Sequence, residues 1–279
     1  MAKSLSPLRY PGGKSKIYDK VKNLIETNEL GDRIYVEPFA GGFGIGISLL
    51  CDNIVQQAIL NDFDSHIYHF WHSVLHNTDD LLRMINDTPI TIEEREKQKA
   101  VYNDDSADVV RDGFATLFLN RVNFSGVITG GPIGGLTQSG AYRIDCRFNK
   151  DEIKKKTEKI ALLENRISLF NCDAGALIST HLGDRTDNSF FNIDPPYVKN
   201  GHRLYANYFV EEDHRKLSEI IIERLREAMW ILTYDDCDLI RDIYRQYLVT
   251  EYNLQHNAAG SVMGKELVIT NIPQGLFMW

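Results

Sequence analysis

Asp194-Pro195-Pro196-Tyr197 is the stretch of this 279-residue sequence whose residue types point most directly to chemistry. An apolar run, Phe190–Ile193, ends in a carboxylate; two prolines and an aromatic ring follow. Prolines donate no backbone hydrogen bond and stiffen the turn, which leaves the Pro195 carbonyl able to accept from outside. The Asp194 carboxylate and that carbonyl are two acceptors beside an aromatic face. Together they suit a planar amine, whose two N–H groups would be held while its plane stacks on Tyr197. A proline turn capped by an aspartate, with no chemistry, is the alternative for the tetrapeptide alone. Its position at the end of a strand-like run favours a site, because open α/β sheets bind ligands beyond the carboxyl ends of their strands.

A second constellation runs from Glu37 through Pro38, Phe39, Ala40 and Gly41 to Gly46. Glycines at 41, 42, 44 and 46 let backbone amides approach a ligand closely, but they do not make the G-x-G-x-x-G of a dinucleotide site. An acidic residue ahead of the turn suits a cationic ligand better than a pyrophosphate. S-adenosylmethionine, with an ammonium, a sulfonium and no phosphate, is such a ligand. Asp62, ending the next apolar run, is placed to accept the hydroxyls of a ribose. A turn needed only for packing is the alternative for this unit by itself.

Two further patterns are weaker. Pro11-Gly12-Gly13-Lys14-Ser15 resembles a phosphate-binding loop, but Leu8 stands where that motif needs glycine and no strand precedes it. Lys14 remains a cation able to meet a ligand carboxylate. His66, His69, His72 and His76 recur at helical spacing, yet no carboxylate or cysteine nearby in sequence completes a metal site. No metal is expected.

The elements that position these residues follow from periodicity. Ile17, Val21, Leu24 and Ile25 predict a helix over 17–27; Ile34–Val36 and Gln57–Leu60 read as strands on either side of a helix at 45–50. Strand, glycine-rich turn, helix, strand and acidic residue form a nucleotide-binding βαβ unit. Alternation resumes with a basic helix at 151–165 and strands at Ile167–Asn171, Phe190–Ile193 and Trp230–Thr233. Helices at 213–226 and 238–246 and late strands near Leu248–Asn253 and Leu267–Asn271 complete it. Between them, 66–150 breaks the pattern with helical spacing and then glycine-rich turns. The expected organisation is an α/β Rossmann-like catalytic part, 1–65 and 151–279, carrying a mainly helical insert, 66–150.

Composition bounds the rest. A net charge of −8 argues against non-specific coating of nucleic acid, without excluding a local basic surface at Lys14–Lys22 or Arg143–Lys159. Four cysteines, none in a C-x-x-C pair, fit a reducing compartment. No apolar run approaches the roughly 20 residues that span a bilayer. A cytoplasmic protein with no membrane partner is expected.

Arg9-Tyr10-Pro11-Gly12-Gly13-Lys14, Val36–Gly42, Leu60-Asn61-Asp62 and Ile193–Tyr197, in that order, resemble the Dam-like DNA adenine N6-methyltransferases with the alpha order of motifs. Leu119-Asn120-Arg121, Asn171-Cys172-Asp173 and Gly264–Asn271 extend the resemblance over nearly the whole chain. It implies transfer of a methyl group from S-adenosylmethionine to N6 of a flipped-out adenine in double-stranded DNA. It implies Asp194, Pro195, Pro196 and Tyr197 as the catalytic turn. It implies a donor site of Tyr10, Lys14, Glu37, Phe39, Ala40, Gly41, Asp62, Asp173 and Asp194. Candidate DNA contacts are Arg121, Asn123, Arg143, Arg147 and Lys199. A cognate restriction endonuclease is a further candidate partner. The insert, where Asn123-Phe124-Ser125-Gly126 leads through Gly131-Pro132 to Tyr142–Asn149, departs from members that read GATC, so that specificity is not implied. RNA or protein-glutamine methylation, or an inactive DNA-binding relative, are the alternatives.

Overall fold

The computed structural model describes residues 5–9, 17–199, 209–256 and 262–272. In chain order the elements are α1 (Tyr18–Thr27), β1 (Ile34–Glu37), α2 (Gly44–Cys51), β2 (Ala58–Asn61), α3 (Ser65–His76) and α4 (Thr78–Asp87). Then come α5 (Ile92–Tyr102), α6 (Val109–Val122), α7 (Lys150–Ala161), β3 (Ile167–Phe170) and α8 (Ala174–Ala176), which continues as a π-helical turn over Leu177–His181. Last are β4 (Ser189–Ile193), α9 (Glu211–Arg224), β5 (Met229–Asp235), α10 (Asp238–Ile243), β6 (Leu248–His256) and β7 (Val262–Thr270).

The chain divides into two compact units. One comprises Met1–Ala2, Lys14–Phe63 and Arg166–Trp279; the other comprises Lys3–Gly13 and Asp64–Asn165. The first holds a seven-stranded sheet in the order β3-β2-β1-β4-β5-β7-β6. Pairings from β3 to β5 are parallel, and β7 runs antiparallel to both β5 and β6. This is the expected Rossmann-like α/β sheet, with its order reversing between β1 and β4. The central strands are mostly apolar because the sheet is covered on both faces, with Glu37, Asn192 and Thr233 as buried polar exceptions. Tyr35, Val36, Phe191, Ile193, Trp230 and Leu232 are all at most 1% exposed. The late strands are longer than their hydrophobicity suggests. Edge strand β6 pairs with β7 along its whole length, Leu248 to His256 against Thr270 to Val262.

The second unit is helical. α6 is buried on nearly every side from Asp112 to Asn120, as a helix apolar all round must be. Asp64, Thr91, Asp108 and Asn149 cap α3, α5, α6 and α7 with side-chain oxygens. The unit is larger than the 66–150 segment expected. α7 joins it because Lys150 Nζ donates to the carbonyls of Asn86 and Thr88, 2.7 Å each, at the C-terminal end of α4. Residues 5–9 join it through Asn120, whose side chain accepts from Arg9 N (2.7 Å) and donates to Arg9 O (2.8 Å). No helix among the described residues is long and apolar enough to cross a membrane.

Gly113 sets how closely α6 approaches α3. A Cβ there would lie 2.5 Å from the His69 carbonyl oxygen and 2.6 Å from Ser73 Oγ. Alanine is the better helix former by about 1 kcal/mol, so the same change on an exposed face would stabilise. Here the overlap reverses the sign: Gly113→Ala should destabilise by about 1–3 kcal/mol, read as a lower urea midpoint. An unchanged or raised midpoint would contradict this packing.

Candidate active site

Five carboxylates mark the carboxyl ends of the five parallel strands. In spatial order they are Asp173 after β3, Asp62 after β2, Glu37 ending β1, Asp194 after β4 and Asp235 ending β5. With neighbouring strands about 4.8 Å apart, the row spans about 20 Å. Glu37 and Asp194 flank the reversal between β1 and β4, the place where sheets of this kind bind ligands.

Glu37 is 7% exposed. Its Oε1 accepts from the Tyr35 hydroxyl (2.7 Å) and from Gly46 N in α2 (3.2 Å), and the Tyr35 oxygen accepts in turn from Asn192 Nδ2 of β4 (2.7 Å). Burial pushes the Glu37 carboxyl up to about 8, against the opposing pull of the Tyr35 and Gly46 hydrogen bonds; the nearby Asp194 charge adds to the rise. A carboxyl so placed is neutral near pH 7 in the free protein and ionises when a cation is brought beside it.

The turn after β1 is fixed from β2. Ala40 N donates to Asn61 O (2.9 Å) and Gly41 N to Asp62 Oδ2 (2.8 Å). Gly41 lies at φ 46°, a left-handed conformation that glycine adopts without penalty. Asn61, fully buried, was not among the expected site residues. Its Nδ2 donates to Pro38 O and Cys172 O, both 2.9 Å, and its Oδ1 accepts from Cys172 N (3.1 Å). One carboxamide thus fastens the ends of β1, β2 and β3. A buried asparagine closing an apolar strand was the signal that could have found it. Asp173 caps α8 by accepting from Ala176 N at 3.0 Å.

The Asp194–Tyr197 turn is held by β5. Thr233 Oγ1 donates to Asp194 Oδ1 (2.6 Å), while Asp235 accepts from Val198 N and Lys199 N, 2.9 Å each. Pro195 and Pro196 are buried; Asp194 and Tyr197 are half-buried. An aromatic chain extends from the turn: Tyr197 lies near Tyr234, which stacks edge-on with His214, which meets Phe209, which meets Phe39. His214 Nδ1 is 2.9 Å from the Tyr234 hydroxyl, and burial lowers its pKa, keeping the ring neutral. Lys199 is exposed and its Nζ reaches the Asp236 carbonyl at 2.5 Å. Tyr10 and Lys14, expected against the donor, lie outside the described residues.

The remaining candidates belong to the helical unit. Arg121 is half-buried, with Nε lacking a hydrogen-bond partner; burial, helped by the Arg9 and Arg147 charges, pushes its pKa down to about 10. Arg143, which precedes a short 3-10 turn at Ile144–Arg147, and Arg147, which ends it, are both exposed. Asn123 is fully buried, and its amide bonds Arg95 Nε (2.7 Å) and Ile128 O (2.6 Å). It braces the glycine-rich loop from within. The histidine row has a carboxylate partner after all, supplied from α6. His66 Nδ1 and His69 Nδ1 lie 2.8 and 2.7 Å from the two oxygens of buried Asp112. Burial disfavours the charged His66 ring, but Asp112 outweighs it and raises the pKa. Among the described residues no three His, Cys, Asp or Glu side chains are grouped to hold a metal ion.

Glu37 makes stability depend on pH. Folded, it keeps its proton to about pH 8; the unfolded carboxyl loses it near 4.5. Stability from the protonated form is therefore complete below pH 4.5 and lost as pH rises through 8. Glu37→Gln stays neutral, so wild type should lose a few kcal/mol relative to this variant between pH 4.5 and 8. A difference in unfolding free energy that is flat across the window would contradict the assignment.

A model of the D12 class N6 adenine-specific DNA methyltransferase family matches residues 10–258. Type II methyltransferase M1.LlaDCHI of Lactococcus lactis subsp. cremoris is 22% identical over 292 residues, covering 94% of each chain. Type II methyltransferase M.MjaIII of Methanocaldococcus jannaschii is 23% identical over 231 residues, covering 76% of this chain and 77% of its own. Among solved structures, the rRNA methyltransferase aviRa from Streptomyces viridochromogenes overlays with a TM-score of 0.39 at 10% identity, covering 96% of this chain and 90% of that one. The assignment rests on the family match and not on this remote likeness. Family and fold together imply S-adenosylmethionine as the methyl donor. The chain belongs to the D12 class of N6 adenine-specific DNA methyltransferases and is an adenine-specific DNA methyltransferase.

Proposed function

We propose that the Asp194–Tyr197 turn is the transfer centre and that the strand ends from β1 to β3 bind the methyl donor. The observation that carries this reading is the row of acidic side chains meeting at the β1/β4 reversal, with buried Glu37 on one side and Asp194 on the other. An acidic row fits a cationic ligand. S-adenosylmethionine, when bound, supplies an electrophilic methyl on a sulfonium. Glu37 and the 39–41 turn would hold its amino-acid end, Asp62 its ribose and Asp173 its base; Tyr10 and Lys14 complete the expected set.

The exocyclic amine of adenine is a weak nucleophile because its lone pair is delocalised into the ring. The Asp194 carboxylate and the Pro195 carbonyl accept its two N–H groups and draw the nitrogen toward tetrahedral geometry. Tyr197 stacks on the base plane. Positioning and fixed acceptors supply the acceleration, and no side chain needs to remove a proton before attack. The base must leave the duplex, at a cost of a few kcal/mol.

The helical unit would select the DNA sequence. Half-buried Arg121, depressed in pKa beside Arg9 and Arg147, is suited to an anionic partner such as a phosphate, and exposed Arg143 and Arg147 to phosphate or base edges. Lys199 is a further candidate for a phosphate contact. The two curated relatives are named type II methyltransferases, which supports a cytoplasmic restriction–modification role with a partner endonuclease.

Tritiated donor offered separately to duplex DNA, RNA and protein should label DNA alone. Asp194→Ala should lower transfer by on the order of a thousandfold or more while leaving the melting temperature within a few degrees. Full activity in that variant, or label in RNA or protein, would overturn the reading.

A further inference from the structure

We propose that β5 positions the reacting turn from both ends: Thr233 sets the plane of the Asp194 carboxylate, and Asp235 holds the chain that leaves Tyr197. The inference rests on the reading of this turn as the transfer centre, and it adds two positioning residues on a strand that carries none of the expected site.

Thr233 is 2% exposed, so its hydroxyl has no solvent alternative. It lies 2.6 Å from Asp194 Oδ1 and 3.5 Å from the Ile193 carbonyl. A hydroxyl has one proton to give, and the short contact to a carboxylate takes it, at a length usual for O–H donors to carboxylates. The χ2 torsion of a carboxylate side chain is broad, and the bond from Thr233 narrows it for Asp194. Tied at Oδ1, it presents its acceptors in one orientation, which a substrate amine held at two points requires.

The other end is fixed as tightly. Asp235 is 8% exposed, and its two oxygens accept separately from consecutive amides, Val198 N and Lys199 N. Between the two tethers lie Pro195 and Pro196, which have no N–H of their own. Two side chains on one face of β5, two residues apart, therefore bracket the four-residue turn. β5 is itself paired on both sides, with β4 and β7. The bracket is thus mounted on the interior of the sheet, where small displacements are resisted.

Positioning of this kind affects turnover more than binding. Thr233→Val keeps the shape and removes the donor; kcat should fall on the order of ten- to a hundredfold, with donor and DNA dissociation constants within about twofold of wild type. Thr233→Ser restores the hydroxyl and should return kcat to within about threefold. Asp235→Asn puts an N–H group against one of the two backbone donors and should lower kcat similarly; it reads the proposal independently if Thr233→Val does not fold. Measured in single turnover, Thr233→Val should add nothing further in an Asp194→Asn background. Wild-type kcat in both Thr233→Val and Asp235→Asn would overturn the proposal, as would a Thr233→Ser variant as slow as Thr233→Val. If Asp194→Ala is inactive while these variants are fully active, only the positioning role fails; if Asp194→Ala is active, the transfer centre itself is misplaced.

Discussion

A buried carboxyl sits at the point where the strand order reverses, and three elements depend on it. Glu37 ends β1, takes the Tyr35 hydroxyl, which takes the Asn192 amide of β4, and accepts Gly46 N from the start of α2. A buried acid without partners would cost several kcal/mol. Satisfied in this way, it joins the two strands that diverge at the reversal to the helix that follows the glycine-rich turn. The same burial that keeps Glu37 neutral stores a response: a cation arriving beside it gains a full negative charge in a medium of low dielectric. In the proposed donor complex the same group would add charge complementarity to its packing role.

Outward from that point the strands divide the work. β1, β2 and β3 are laced together by Asn61, which spans Pro38, Cys172 and its own strand, so the proposed donor surface is set by one carboxamide. β4 carries the proposed reacting turn. β5 holds it without belonging to it, through Thr233 and Asp235. The helical unit is organised by different means: a buried α6, capped helices, and an Asn123–Arg95 pair that stiffens the loop from Asn123 to Pro132.

Much of this was legible in the sequence, for physical reasons that differ by element. Buried parallel strands such as Phe190–Ile193 are largely apolar and end at a carboxylate, so both strand and site are visible together. The Glu37–Gly46 turn is legible because its glycines cluster behind an apolar strand, and one of them, Gly41, takes a positive φ. Contacts between residues distant in the chain are not legible. Nothing local to His66 or His69 announces Asp112, some forty residues later, and nothing near Asp194 announces Thr233. Asn123 reads from the sequence as a candidate DNA contact, and nothing near it in sequence announces the Arg95 side chain that its amide accepts from. α7 and residues 5–9 were assigned to the sheet because sequence order suggested it. Lys150 and Asn120, which tie them to the helical unit, read only as an ordinary surface lysine and a motif asparagine.

The central claim, that the centre at the end of β4 methylates the exocyclic amine of adenine at a site chosen elsewhere in the chain, is tested most directly by modification-sensitive sequencing of DNA from cells expressing the protein. N6-methyladenine in one fixed sequence context, at nearly every occurrence, is the predicted result. Methylated cytosine, or adenine methylation without a defined context, would contradict it.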